Sequence, residues 1–311
     1  MSSYHTPVLV EEVINGLRCQ PGGVFVDGTL GGGGHALRIM EAIGPTGLLI
    51  GLDKDGDAIQ ESRKVLAPFG TRAILRKADF STLSHVLLSL GISEVNGILL
   101  DLGVSSHQLD EVERGFSFHS DHRLDMRMDR EQEVSAYNFI NQAPEEELRR
   151  IIWKYGEERM ARRIAKYIVR AREKEPVRTT LSLANVVMRA CSLSERTSKI
   201  HPATRTFQAI RIWVNNELDN LECAITSGMD SLRSKGRFCI VSFHSLEDRI
   251  VKNAFRSWAR TCVCPPDLPV CVCHRRQKMN VLTRKPILPK AEEISANPRA
   301  RSARLRIAER I

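Results

Sequence analysis

A run of thirteen residues, Val24-Phe25-Val26-Asp27-Gly28-Thr29-Leu30-Gly31-Gly32-Gly33-Gly34-His35-Ala36, limits the fold more than any other stretch of the chain. Its apolar, β-rich start reads as a buried parallel strand. The strand ends at Asp27-Gly28, four consecutive glycines follow, and Ala36-Leu37-Arg38-Ile39-Met40 resumes with helical character. Strand, glycine turn and helix is how an α/β sheet brings bare backbone amides up to a ligand at a helix N-terminus. The spacing is not G-x-G-x-x-G, so the dinucleotide fingerprint is not claimed. A ligand-free glycine loop is the competing reading.

A second apolar run, Gly47-Leu48-Leu49-Ile50-Gly51-Leu52-Asp53, also ends in an acid, 20 residues beyond Gly33. That is where an acceptor for a ribose hydroxyl belongs in such a fold, so the expected ligand contains adenosine. Nicotinamide dinucleotide and S-adenosylmethionine both fit at this point. A surface turn is the competing role for Asp53. Asp55 and its neighbours cap a helix expected near Ala58.

The third strand is expected over Thr71–Arg76, followed by Asp79 and Phe80, an acid and a ring within reach of an adenine. The fourth is Gly97-Ile98-Leu99-Leu100-Asp101, whose exit, Leu102-Gly103-Val104-Ser105-Ser106, lies at the edge where open α/β sheets bind ligands. The pattern then changes to a polar, irregular loop (108–129) and several helices, so residues 111–207 read as an all-helical insertion placed to cover the ligand edge. One helix is expected from about Ala209 to Ser227, after which Gly236–Phe243 returns to strand and Ser245 caps the next helix. The domains are therefore 1–110 with 208–311, and 111–207 between them.

The 311 residues carry a net charge of +9, of which +8 falls in residues 274–311. Such a basic tail suits a polyanion, through salt-dependent phosphate contacts. Aromatic residues make up only 5%, too few for a base-stacking RNA platform. With no signal-peptide pattern and no apolar run near the ~20 residues of a membrane span, the expectation is a soluble cytoplasmic protein with reduced cysteines. Cys262-Val263-Cys264 and Cys271-Val272-Cys273 form a C-x-C pair of pairs able to hold zinc. The usual knuckle is C-x2–4-C, so no metal is assigned.

Beyond these readings, the chain resembles the bacterial 16S rRNA (cytosine-N4)-methyltransferases, the RsmH (MraW) family. The resemblance spans nearly the whole chain. It rests on His5-Thr6-Pro7-Val8-Leu9, Asp27-Gly28-Thr29 with Gly32-Gly33-Gly34-His35, Asp101–Ser106, Arg114–Phe118, Leu124–Met128, Tyr155–Arg159, His201–Gln208, Ser242–Arg249 and Asn297–Ser302. It implies a Rossmann-like class I S-adenosylmethionine-dependent methyltransferase fold whose inserted helical domain recognises RNA. The implied substrate is a cytidine in the decoding region of 16S rRNA in the small ribosomal subunit. Carried over residue by residue, the cofactor contacts would be Gly33, Gly34, His35, Asp53, Phe80, Asp101 and Gln108. Related amino-methyltransferases follow an Asp, Asn or Ser at the fourth strand exit with two prolines and an aromatic. Here those are absent, and the ring-stacking role stays unassigned. Asp101, Ser105 and Ser106 are the candidate catalytic acceptors for the N4–H bonds, with Asp101 as a pure cofactor ligand left open. His201, Arg205, His244 and Asp248 are candidate RNA contacts, against local capping and salt bridging. A nicotinamide dehydrogenase and a non-enzymatic RNA-binding factor are the alternatives, and the oligomeric state, a homodimer included, is left open.

Overall fold

The computed structural model describes residues 7–191, 201–265, 270 and 272–311. Two compact units make up the chain, one from the segment up to Gly103 and the segment from Asp219 onward, the other from Val104 to Leu218. In chain order the first unit starts with α1 (Val10–Leu17), β1 (Val24–Asp27), α2 (Gly34–Ile43), β2 (Leu48–Asp53), α3 (Gly56–Leu66), β3 (Ala73–Lys77), α4 (Leu83–Ser89) and β4 (Val95–Asp101). Then come α5 (Ser106–Asp110), α6 (Ala136–Gln142), α7 (Glu145–Gly156), α8 (Ala161–Arg172), α9 (Thr180–Ala190) and α10 (Ala203–Asn215). The chain returns through α11 (Glu217–Ser231) to β5 (Leu232–Ser242), α12 (Ser245–Trp258), β6 (Met279–Val281), α13 (Ala291–Ala296) and β7 (Arg304–Arg310).

The seven strands form one sheet in the order β3-β2-β1-β4-β5-β7-β6. Strands β1 to β5 run parallel, while β7 is antiparallel to β5 and to β6. This is the Rossmann-like sheet expected from the two strand–acid repeats. Because successive side chains alternate faces, β1, β2 and β4 are apolar on both sides and feed two cores. Leu49 and Leu99 pack with Leu17, Ile39 and Ile43 on one face. Ile50, Ile98 and Leu100 pack with Phe238 and Phe255 on the other. The strand order reverses between β1 and β4, which opens a crevice at their C-terminal ends.

Several sequence expectations are corrected here. The basic stretch 274–311 is no tail: it contains β6, α13 and β7, and β7 lies between β5 and β6. Its Arg306 is buried, donating from Nε and Nη2 to the two carboxylate oxygens of Asp248 at 2.6 and 3.1 Å. Deleting 297–311 would therefore remove a sheet strand along with charge. The single helix expected over Ala209–Ser227 is two, α10 and α11, broken at Asn216 in the left-handed region (φ 55°). Asparagine tolerates that conformation better than most residues. The cap of α12 is His244 rather than Ser245: its imidazole accepts from Glu247 N while the Glu247 carboxylate accepts from His244 N. Helix α3 starts at Gly56, capped by Asp55 accepting from Asp57 N at 3.1 Å.

In the second unit, polar side chains hold the long loop between α5 and α6. Arg114 Nη2 donates to the carbonyls of Arg127 and Met128 (3.1 and 2.7 Å). Asn215, at the end of α10, accepts from Met128 N (2.7 Å) and donates to Met126 O (2.8 Å) and Arg211 O (2.9 Å). Gly156 ends α7 against the backbone of α10, where a Cβ would come within 2.7 Å of Arg205 O. No helix among the described residues is long and apolar enough to cross a membrane.

Candidate active site

Three strands deliver aspartates to one sheet edge: Asp27 ends β1, Asp53 ends β2 and Asp101 ends β4. Each ends a run of apolar residues, so the packing that buries the strand also places the acid.

At the β1–β4 crevice the groups interlock. Asp27 is fully buried, and its Oδ1 accepts from Thr29 N (3.0 Å) and Thr29 Oγ1 (3.4 Å). Thr29 Oγ1 in turn accepts from Asp101 N at 2.6 Å, which ties the two strand ends together. His35, in the first turn of α2, is buried with Nε2 3.4 Å from Asp101 Oδ2. Asp27 Oδ2 and His35 Nδ1 are buried with no hydrogen-bond partner among the described residues. Burial pushes the Asp27 carboxyl up to about 6, against the pull of His35 and Thr29, and with the help of Asp101. For His35, burial favours the neutral ring, but the Asp101 and Asp27 carboxylates outweigh it and raise its pKa. Fully ionised, the two acids and the imidazolium leave a net negative charge. Such a pocket suits a cationic ligand group.

The loop that leads from β1 to α2 is built by glycine. Gly28 N donates to Leu99 O (2.9 Å), and a Cβ at Gly28 would strike Leu100 at 2.5 Å. Gly33 is the N-cap of α2 in the left-handed region, φ 79°. Gly34 opens the helix against Pro7, where a Cβ would sit 2.7 Å from the ring. Asp53 Oδ2 accepts from Gly31 N and its Oδ1 from Asp55 N, both at 2.9 Å. An ionised carboxylate offers about four lone-pair sites, so two remain for a ligand's hydroxyls. Burial raises the Asp53 carboxyl to about 6 despite those two amides. Phe80 opens the short turn after β3, half-buried, with its Cβ beside Gly28. Asp79, the acid expected beside it, is committed instead to Lys54 Nζ (3.2 Å), Asn220 Nδ2 (2.9 Å) and Ser81 N (2.9 Å).

Gly33, Gly34, His35, Asp53, Phe80 and Asp101 thus all belong to the first unit. Ser105, Ser106 and Gln108 belong to the second. There Ser105 caps α5, its Oγ accepting from Gln108 N (3.2 Å) while Gln108 Oε1 accepts from Ser105 N (3.1 Å). Asp27 and Thr29 were absent from the expected site. Their signal was present in the sequence, since Asp27 ends an apolar run just as Asp53 and Asp101 do.

Of the candidate RNA contacts, Asp248 is held by Arg306 in a buried ion pair and His244 caps α12. His201 Nδ1 accepts from Ala203 N (3.1 Å) and its ring lies 4.7 Å from that of Phe118. Arg205 is exposed, 3.8 Å from Glu158. Among the four C-x-C cysteines, Cys271 lies outside the described residues.

Compared with known proteins, the chain matches the model of the MraW methylase family over residues 2–311. It is 56% identical over 309 residues to the ribosomal RNA small subunit methyltransferase H of Syntrophus aciditrophicus, covering 99% of this chain and 98% of that protein. It is 52% identical over 307 residues to the protein of the same name from Geotalea daltonii, covering 99% and 98%. Among solved structures, an rRNA methylase from Streptococcus thermophilus aligns at 10% identity and TM-score 0.40, covering 97% of this chain and 93% of that one.

Proposed function

Because the chain belongs to the MraW methylase family, we propose that it transfers a methyl group from S-adenosylmethionine to small-subunit ribosomal RNA, the acceptor being the exocyclic N4 of a cytidine in the decoding region. Small-subunit rRNA is a cytoplasmic substrate, and the protein acts there. The anionic cluster of Asp27, His35 and Asp101 at the β1–β4 crevice carries this reading. A sulfonium and an ammonium need negative, incompletely satisfied groups. Asp27 Oδ2 is such a buried atom, with no hydrogen-bond partner among the described residues.

In this assignment Gly33 and Gly34 would offer backbone to the cofactor at the start of α2, their missing side chains letting α2 pack against Ser62 and Pro7. The spare lone pairs of Asp53 would take ribose hydroxyls, and Phe80 would offer an aromatic face to the adenine. When bound, the cofactor supplies an electrophilic methyl group on a positively charged sulfur. Cytosine N4 is a weak nucleophile because its lone pair is delocalised into the ring. Asp101 would accept an N4–H hydrogen bond and so favour rehybridisation of that nitrogen as it takes up the methyl group. The proton released from N4 passes to Asp101 or, through a serine hydroxyl of Ser105–Ser106, to water. Holding donor and acceptor in line supplies much of the rate. The target base must leave its stack to be reached; RNA recognition is assigned to the helical unit, and Gln108 is kept as a cofactor contact on the family resemblance alone.

The test is direct. The purified protein is incubated with tritiated S-adenosylmethionine and unmethylated small subunits or free 16S rRNA, and the labelled nucleoside is identified after digestion. Label in N4-methylcytidine is expected. Label in another nucleoside overturns the choice of atom, and no label on either substrate with cofactor binding intact overturns the reaction.

A further inference from the structure

The excursion between α12 and β6 contains a thiol cluster that methyl transfer does not use. Its base is closed: Lys278 N donates to Trp258 O at 2.9 Å, and Arg275 Nη2 donates to Ser257 O and Oγ at 2.6 and 2.9 Å. Between these ends the described residues form no helix or strand. They also bury little: Cys262 is exposed, Cys264 and Cys273 are half-buried, and Val263 and Val272 are 50% and 65% exposed. Cysteine elsewhere in the chain, at Cys239, is fully buried as a small hydrophobe. That explanation fails for this cluster.

Even so, the sulfurs of Cys262, Cys264 and Cys273 lie within 4.8 Å of one another. Cys262 Sγ and Cys273 Sγ are 3.8 Å apart. That is nearly twice the ~2.05 Å of a disulfide. It equals the edge of a tetrahedron whose corners lie ~2.3 Å from its centre, about 3.8 Å, the geometry of thiolates around zinc. Cys264 N also donates to Cys262 Sγ at 3.3 Å, which holds the two sulfur-bearing residues of the first pair together.

We propose that Cys262, Cys264 and Cys273 bind a zinc ion that clips the excursion between α12 and β6 into one conformation. Three adjacent thiolates repel one another, and a dication converts that repulsion into attraction. Three thiolates select zinc over harder ions, and zinc adds no redox chemistry. Each thiol that binds releases a proton to solvent, so affinity rises with pH. A fourth ligand from outside the trio completes the tetrahedron. The excursion is long and its described residues bury little, so closing it with a metal is where a clip stabilises most.

The full-length protein, kept reduced, is loaded with zinc, desalted, and its metal content measured. About one zinc per chain is expected, falling at least tenfold in Cys264→Ser and Cys273→Ser. Cobalt exchanged into the wild-type protein should show thiolate-to-metal charge-transfer absorption with the intensity of a tetrahedral site. This readout stands even where a variant folds poorly. Less than about a tenth of a zinc per chain, with the thiols titrated as reduced, overturns the proposal. Full zinc retention in the triple variant Cys262→Ser, Cys264→Ser, Cys273→Ser overturns it as well.

Discussion

The crevice between β1 and β4 and the long loop between α5 and α6 each hold an acid, fully buried at Asp27 and half-buried at Asp125, and they treat them in opposite ways. In the loop, Asp125 accepts from Arg127 N and Nε at Oδ1 and from Nη2 at Oδ2 (3.1, 2.7 and 2.8 Å). Burial alone would raise its carboxyl, but the Arg127 hydrogen bonds win and hold it below the usual range. In the crevice Asp27 has a threonine and an imidazole in place of a guanidinium, one oxygen has no partner among the described residues, and its carboxyl is raised to about 6. Full pairing is what a buried acid needs for a purely structural job. A carboxylate left short of partners is a cost to the apo fold that a cationic ligand removes. Asp248 sits with the structural kind: burial opposes ionisation, yet Arg306 and Arg304 lower its carboxyl.

The sharpest way to break this contrast is Asp101→Ala, which should lower kcat/KM for methyl transfer ~10²–10³-fold, the scale of one lost charge-stabilising group. Asp101→Asn then separates its two roles. A fall in kcat at saturating cofactor marks a proton acceptor, whereas a weaker cofactor Kd with normal kcat marks a ligand only.

Next in size is Arg306→Met, which strands a buried Asp248 and should cost about 3 kcal/mol of stability in denaturant unfolding. A cost below about 1 kcal/mol would show that Arg304, 3.6 Å from Asp248, suffices alone. Asn215→Leu should cost about 2 kcal/mol, because it leaves Met128 N and Met126 O buried without their partner. Cofactor affinity measured by calorimetry should not change. If it falls with stability, loop and crevice are not independent.

The smallest effect is on pH. Asp27 and Asp53 have folded pKa values of about 6, above the ordinary aspartate value of 3.8, so the folded state binds their protons more tightly. Apo stability from these groups therefore increases as pH falls from above 6 towards 4. His35, raised above 6.5, adds stability below its unfolded pKa that is lost as pH rises through its folded one, the same direction. Asp125 and Asp248 act oppositely: their contribution is present above 3.8 and lost as pH falls through their lowered values. The apo melting temperature should thus be higher at pH 5.5 than at pH 7.5, and Asp27→Asn should flatten the slope while weakening cofactor binding. A melting temperature that rises steadily from pH 5.5 to 7.5 would contradict the assignment of Asp27 and Asp53.

The strand–acid repeats at Asp27, Asp53 and Asp101 were legible because a buried parallel strand is a continuous apolar run and its last residue is marked by polarity. The glycine loop was legible because only glycine relieves both a positive φ and a closed approach. The two-helix break at Asn216 was not: asparagine marks a left-handed turn only when the packing on both sides demands one. Nor was the cap at His244, since a histidine becomes a cap only through the Glu247 carboxylate that completes the box.

By itself the sequence determined the alternating α/β order, the acids at the strand ends and the flexible glycine entrance, all consequences of local polarity and backbone freedom. Only the tertiary structure decided that the basic C-terminal stretch is a sheet strand rather than a tail, and that Arg306 serves Asp248 rather than phosphate. It alone showed that Thr29 joins Asp27 to Asp101. Those facts depend on residues 58 and 72 positions apart meeting in space. Pairing across such distances is set by the register of the whole sheet, which no local pattern encodes.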